Sequence, residues 1–147
     1  MDADAFAKIA SCLENEPPSG LQEAAHRTAV GRIYYAAFLF AREMMTNWGC
    51  DFGSGGRVHA EVAEGLKCSG VRALWKIGNH MVELHDQRKV ADYDTGGSFD
   101  PDFERVWGYY DRILELADYW GDQDGQERSK ALKKMQDKIR QIESSQN

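Results

Sequence analysis

Val30-Gly31-Arg32-Ile33-Tyr34-Tyr35-Ala36-Ala37-Phe38-Leu39-Phe40-Ala41 is the stretch that decides the fold. Reading outward from it, Val30, Ile33, Tyr34, Ala37, Phe38, Ala41, Met44, Met45 and Trp48 recur at steps of three and four. That period places them on one wide apolar stripe of a helix. The spacing predicts a long helix over about 21–48, closed by Gly49. The unbroken apolar run from Ile33 to Ala41 has nine residues, far short of the roughly 20 that span a bilayer.

The helical period continues on both sides. A short helix is expected over about 4–13, with Phe6, Ile9 and Leu13 on one face, ended by Pro17-Pro18 because paired prolines cannot continue a helix. After the glycine-rich loop 51–56, a third helix is expected over about 58–68 and a fourth over about 71–92. The fourth carries Leu74, Ile77, Gly78, Met81, Leu84, His85 and Arg88 on one face. Asp100-Pro101 has the pattern of an N-cap with proline at the first helical position, opening a fifth helix to about Trp120. A last helix, about 126–143, has only Leu132, Met135, Ile139 and Ile142 as an apolar seam. So thin a seam must dock on the body, pair with a partner helix or fray. No strand-like alternation longer than about four residues is present. The fold class is all-α: an antiparallel up-and-down helical bundle of four to five core helices plus a C-terminal helix. The expected division is a bundle over 1–122 and a basic helix or tail over 123–147.

The chain has 147 residues, with 18 Lys and Arg against 24 Asp and Glu, and a net charge of -6. A chain of this length buries roughly 68–70% of its unfolded surface, enough for one domain. The acidic balance argues against coating nucleic acid or an anionic membrane through bulk charge, while leaving room for a small cationic pocket. Charge is uneven, because residues 126–147 hold six basic and three acidic side chains. That segment reads either as a solvated mixed-charge helix or as a surface for an acidic partner or RNA. Cys12, Cys50 and Cys68 form no C-x-x-C pair, which speaks against a disulfide framework and most Cys-based zinc sites. The acidic N-terminus (Met1-Asp2-Ala3-Asp4) lacks a signal-peptide pattern. A soluble, cytoplasmic protein is expected, without membrane attachment.

Several chemical constellations fall away. Gly53, Gly55 and Gly56 follow no predicted strand, so they make a poor phosphate cradle. The histidines His26, His59, His80 and His85 contain no His-x-x-x-His pair. Glu23 and His26 form a single Glu-x-x-His, where a di-iron bundle needs two. Neither metal nor cofactor is expected. What remains is the end of the fourth helix, Leu84-His85-Asp86-Gln87-Arg88-Lys89-Val90-Ala91-Asp92-Tyr93-Asp94. His85 and Arg88 share a face, and Arg88 and Asp92 are spaced for an ion pair. A guanidinium on an apolar face must be paired or must line a cleft. Two readings follow: Arg88 ties helices together while Tyr93 covers the end of the core, or the group forms a functional cleft.

Arg32-Ile33-Tyr34-Tyr35-Ala36-Ala37-Phe38, His59 at the start of the third helix, and Leu84-x-x-x-Arg88-x-x-Ala91-Asp92-Tyr93, in this order, resemble the HEPN family, in particular its small prokaryotic members. The likeness covers roughly residues 3–120. It implies a helical up-and-down bundle and a homodimer that gathers the late fourth-helix residues around a shared cleft. Many such proteins are metal-independent ribonucleases acting as toxins beside a nucleotidyltransferase-type antitoxin, or in antiphage defence. Their signature is Arg followed four to six residues later by His. Here Arg88 matches the arginine, and Tyr93 stands where the histidine is expected. Tyrosine, with a pKa of roughly 10, is a poor proton shuttle at neutral pH. His85, one turn earlier, is a candidate replacement.

The resemblance thus implies a dimer that binds nucleotide or RNA through Arg88, Lys89, Asp92, Arg32 and His59, with a degenerate catalytic motif. The competing expectation is an active ribonuclease in which Arg88 works with His85 or Tyr93. In it a histidine would move protons and the arginine would steady charge growing on phosphate. Tyr93 is also a candidate acceptor of a nucleotidyl group. A third reading makes the bundle an interaction scaffold whose partner seam is Leu132, Met135, Ile139 and Ile142. The numerous aromatics, on more than one face of their helices, fit either a subunit interface or one large core.

Overall fold

The computed structural model describes residues 2–121 and 125–145. Among these, all regular structure is helical: α1 (Ala3–Asn15), α2 (Gln22–Asn47), α3 (Val58–Lys67), α4 (Arg72–Tyr93), α5 (Phe103–Gly121) and α6 (Gly125–Ser144). The all-α bundle class follows. None of these helices is long and apolar enough to cross a membrane.

Local chemistry sets the helix ends. Asp2 caps α1 by accepting from the Asp4 N–H at 3.0 Å, satisfying a donor that has no partner inside the helix. At the end of α2, Gly49 takes φ +106°, the Gly49 N–H donates to Thr46 O, and the Cys50 N–H donates to Met45 O. This paired closure needs a residue free of the Cβ penalty at positive φ, which glycine supplies. The start of α5 differs from the sequence expectation. Asp102, rather than Asp100, is the cap, its Oδ1 accepting from the Arg105 N–H at 3.1 Å. Pro101 stays ahead of the helix, its carbonyl accepting from the Phe103 N–H. The helix thus begins at Phe103, two residues later than the Asp-Pro pattern suggests, because Asp102 rather than Asp100 has a first-turn N–H within reach of its side chain.

The chain forms two compact units, residues 1–40 with 81–111 and residues 41–80 with 112–147. The boundary expected between residues 122 and 123 lies outside the described residues. The segment that follows it, α6, belongs with α3 in the second unit.

In the first unit the core is Ala29, Val30, Ile33, Tyr34, Ala37 and Phe38 of α2, Leu84 and Ala91 of α4, and Val106 and Tyr110 of α5. The α1 face turns differently from the expected one: Ala7 and Ala10 are buried, and Ile9 is half exposed. Small side chains let α1 approach closely, while Phe6 at its edge stacks on Tyr35 with ring centroids 6.0 Å apart. The Trp107 Nε1–H donates to both oxygens of Glu14, at 3.1 and 3.2 Å, fixing α5 to α1.

In the second unit α3 and α6 pack together. Ala131, Met135 and Ile139 of α6 are buried, as are Val62 and Leu66 of α3. The thin seam therefore docks within the chain, shifted by Ala131 taking the place expected for Leu132. Gly65 makes room for it: a Cβ there would meet Met45 Cε at 3.2 Å and Ile139 Cγ1 at 3.6 Å. A two-point clip adds polar fixation, with the Asp51 N–H donating to Gln136 Oε1 at 2.7 Å and Gln136 Nε2 donating to Asp51 O at 3.0 Å.

Candidate functional site

In the first unit, α2 and α4 come close at Gly31, where a Cβ would lie 4.0 Å from Asp92 Oδ1. Around this approach the sequence places one aromatic pair, Tyr34-Tyr35, and two arginines. The Arg88 guanidinium lies 4.8 Å from the Tyr35 ring centroid and 5.3 Å from that of Tyr34. The Arg32 guanidinium lies 5.1 Å from the same Tyr35 ring and 5.5 Å from Phe6. One tyrosine ring thus carries two cations, each drawn by the negative face of an aromatic system.

The two arginines differ in their remaining bonds. Arg88 donates from Nε to Asp92 Oδ2 at 3.2 Å, with a quarter of its side chain exposed. Arg32 makes no ion pair among the described residues, and its Nε is buried without a hydrogen-bond acceptor. A buried donor left unmade costs about 1–3 kcal/mol, so this guanidinium would gain from an anionic acceptor. Asp92, expected among the ligand-binding residues, is the ion-pair partner of Arg88, as the four-residue spacing predicts.

His85 is half-buried, its ring centroid 5.3 Å from that of Tyr34. Burial first, then the charges of Lys89 and Arg88, hold its imidazole below the usual histidine value of 6.5. At pH 7 the neutral imidazole therefore predominates. Burial pushes the Tyr34 phenol well above its ordinary value, with Arg88 opposing, so this hydroxyl keeps its proton. Lys89 pairs with Asp86 on its own helix at 3.2 Å, and more than half of its side chain is exposed.

Tyr93 is 78% exposed. The reading in which it covers the end of the core is overturned: α4 ends at this residue, and nothing packs the ring inward. The end of α4 is closed by a residue the sequence reading passed over. Arg27 donates from Nη1 to Ala91 O at 2.8 Å and to Val90 O at 3.4 Å. It is held by Glu23 at 3.0 Å and lies 4.5 Å from the Phe99 ring. Only the Glu23–Arg27 spacing was visible in the sequence. The neighbouring His26 is half-buried: its Nε2 lies 3.3 Å from Glu14 O and its ring meets Phe103 edge-on.

The structure thus groups Arg32, His85, Arg88, Asp92 and the two tyrosines on α2 and α4, with Lys89 and Tyr93 on the outer surface of α4. His59 belongs to the second unit, half-buried in the first turn of α3. Among the described residues no three His, Cys, Asp or Glu side chains meet in an arrangement that would hold a metal ion.

Comparison with known proteins yields no match: no family model fits the chain, and no curated protein or solved structure is similar to it.

Proposed function

We propose that this chain is a HEPN-like protein that binds nucleotide or RNA as a homodimer, within a toxin–antitoxin or defence system, with a degenerate catalytic motif. The observation that carries the reading is the pair of guanidiniums, Arg32 and Arg88, set on one Tyr35 ring. Guanidinium forks match phosphate oxygens, and an aromatic ring beside them offers a stacking surface to a base. Arg32 has no ion-pair partner among the described residues and its Nε no acceptor, so a phosphate beside this guanidinium would supply its missing counter-charge. The Arg88–Asp92 bond keeps the second fork oriented and gives way when a dianion competes for it. Binding is favoured over turnover because the position five residues after Arg88 holds an exposed tyrosine.

A ribonuclease reading rests on His85. Its neutral imidazole and Arg88 flank the same Tyr34 ring, a base and a charge stabiliser on one helix face. In that chemistry the 2'-oxygen attacks the adjacent phosphorus as its proton passes to the imidazole, the P–O5' bond breaks, and the departing 5'-oxygen takes a proton from water, leaving a 2',3'-cyclic phosphate on one product and a 5'-hydroxyl on the other.

One experiment separates the two. Fluorescence anisotropy with labelled single-stranded RNA, and with ATP as competitor, is run on the parent, Arg88→Ala and Arg32→Ala, beside an assay for cyclic-phosphate products. The binding reading expects each alanine to weaken affinity at least tenfold, as for loss of a charge-assisted contact worth about 1.5–3 kcal/mol, with no products from the parent. Products that vanish in His85→Ala establish the ribonuclease instead. Equal affinity in all three proteins refutes both. Sedimentation of the parent at twice the 16.6 kDa chain mass is the matching test of the dimer, and mass spectrometry after co-expression with a nucleotidyltransferase tests Tyr93 as an acceptor.

A further inference from the structure

The second unit holds a different cationic feature, at the turn from α3 to α4. A groove of about 490 Å³ is lined by Lys67, Gly70, Val71, Arg72 and Trp75, a volume in the usual range for ligand sites. Trp75 is 49% exposed, unusual for so large an apolar ring, and it sits three residues from Arg72 on the same face of α4. Lys134 reaches over from α6: its Nζ lies 2.7 Å from where a Gly70 Cβ would stand. Gly70 has φ +78°, so the turn is held by a residue with no side chain to block the groove floor. Neither Arg72 nor Lys134 makes an ion pair among the described residues, whereas Lys67 pairs loosely with Glu64 at 3.4 Å. An acidic chain has thus left two uncompensated cations beside an exposed indole.

We propose that this groove binds a segment of single-stranded nucleic acid, one base stacked on Trp75 and the flanking phosphates held by Arg72 and Lys134. Stacking on an exposed aromatic combined with backbone cations is the physical recipe for sequence-tolerant single-strand binding. The start of α4 adds its positive end to the same place. An acidic peptide would satisfy the cations but would leave the indole without a planar partner, which is why the nucleic acid is the better match. The groove belongs to the second unit, so the inference stands apart from the Arg32–Arg88 cluster.

The test uses a fluorescein-labelled oligo-uridylate of about ten nucleotides, titrated in the Arg32→Ala/Arg88→Ala background so that both guanidiniums of the first cluster are removed. Trp75→Ala should weaken binding about tenfold, and Trp75→Phe should restore most of the affinity, since loss of one stacked base has that order of effect. Arg72→Ala and Lys134→Ala should each flatten the dependence of log affinity on log salt by about 0.7. A 5-iodouridine probe should photocross-link to Trp75. All three side chains are exposed rather than part of the core, and circular dichroism of each variant confirms its folding. Undiminished affinity in Trp75→Ala, a cross-link confined to other segments, or equally tight Trp75-dependent binding of a polyglutamate peptide would overturn the proposal.

Discussion

Arg27 shows how much one side chain can hold at the residue scale. Its 2.8 Å bond to the Ala91 carbonyl occupies an acceptor left over at the end of α4, and its longer bond shares the Val90 carbonyl with the Asp94 N–H. The cation also sits at the negative end of that helix. Arg27→Ala should therefore lower stability by about 1.5–3 kcal/mol, seen as a reduced urea midpoint with an unchanged slope. Amide exchange should quicken in the last turn of α4. Exchange there at the parent rate would show the contact to be idle. Glu61 makes the opposite case. It is 1% exposed, and its Oε2 has no hydrogen-bond partner. Burial and the Glu143 charge push its carboxyl above the ordinary value of 4.5, against the Gly53 N–H bond and Arg42. Folding therefore favours the protonated acid. Its effect on stability is most favourable below 4.5 and is lost as pH rises through the higher folded-state value. Glu61→Gln should raise the urea midpoint at pH 7 and match the parent below about pH 4; a midpoint at pH 7 equal to or below the parent's would refute this. Spacing in the sequence revealed the Arg88–Asp92 bond but neither of these residues. A side chain's reach to carbonyls 63 and 64 positions away and an acid's enclosure both depend on tertiary packing, which periodicity does not encode.

At the scale of elements, α3 and α4 are joined through a near contact of backbone. A Cβ on Gly78 would fall 2.8 Å from Ala63 O and 3.2 Å from the Lys67 nitrogen, with Lys67 Cγ at 2.6 Å. Alanine ordinarily favours a helix over glycine by about 1 kcal/mol. Here that gain is outweighed, because two main chains must separate. Gly78→Ala should destabilise by about 1–3 kcal/mol, whereas Gly108→Ala in α5, which meets nothing within 4 Å, should stabilise. A thermal melt of the two variants decides the matter, and a higher melting temperature for Gly78→Ala would contradict the close approach. The helices themselves were largely legible in the sequence, because the apolar stripes of α2, α4 and α5 are strongly periodic. Ends were less so: Asp100-Pro101 has the look of a cap, yet Asp102 holds the Arg105 N–H. In α1 the register went astray because alanines, not the bulkier Ile9, face inward. The α6 seam that looked available to a partner already has Met135 and Ile139 fully buried.

Across the whole molecule, the two units each carry a thiol reporter. Cys12 is exposed in the first, and Cys50 is buried in the second with its thiol pushed up to about 11 by burial. Thiolate is the reactive form, so at pH 8 Cys12 and Cys68 should label within the mixing time of an aromatic disulfide reagent. Cys50 should label only when the second unit opens, with a urea dependence that tracks unfolding; rapid labelling of all three thiols in native buffer would disprove it. No pattern in the sequence hinted at this division, because the apolar stripes of α2, α4 and α5 run on without a break where the grouping changes. Neither unit is a continuous stretch of chain: the first waits for residues 81–111 and the second for 112–147. During synthesis, when domains commonly form in N-terminal order, the first forty residues leave the ribosome without their packing partners. Residue 111 must be made before the first unit has all its parts and the 112–147 segment before the second does, so until then their unpaired apolar faces are open to holdase chaperones and proteases.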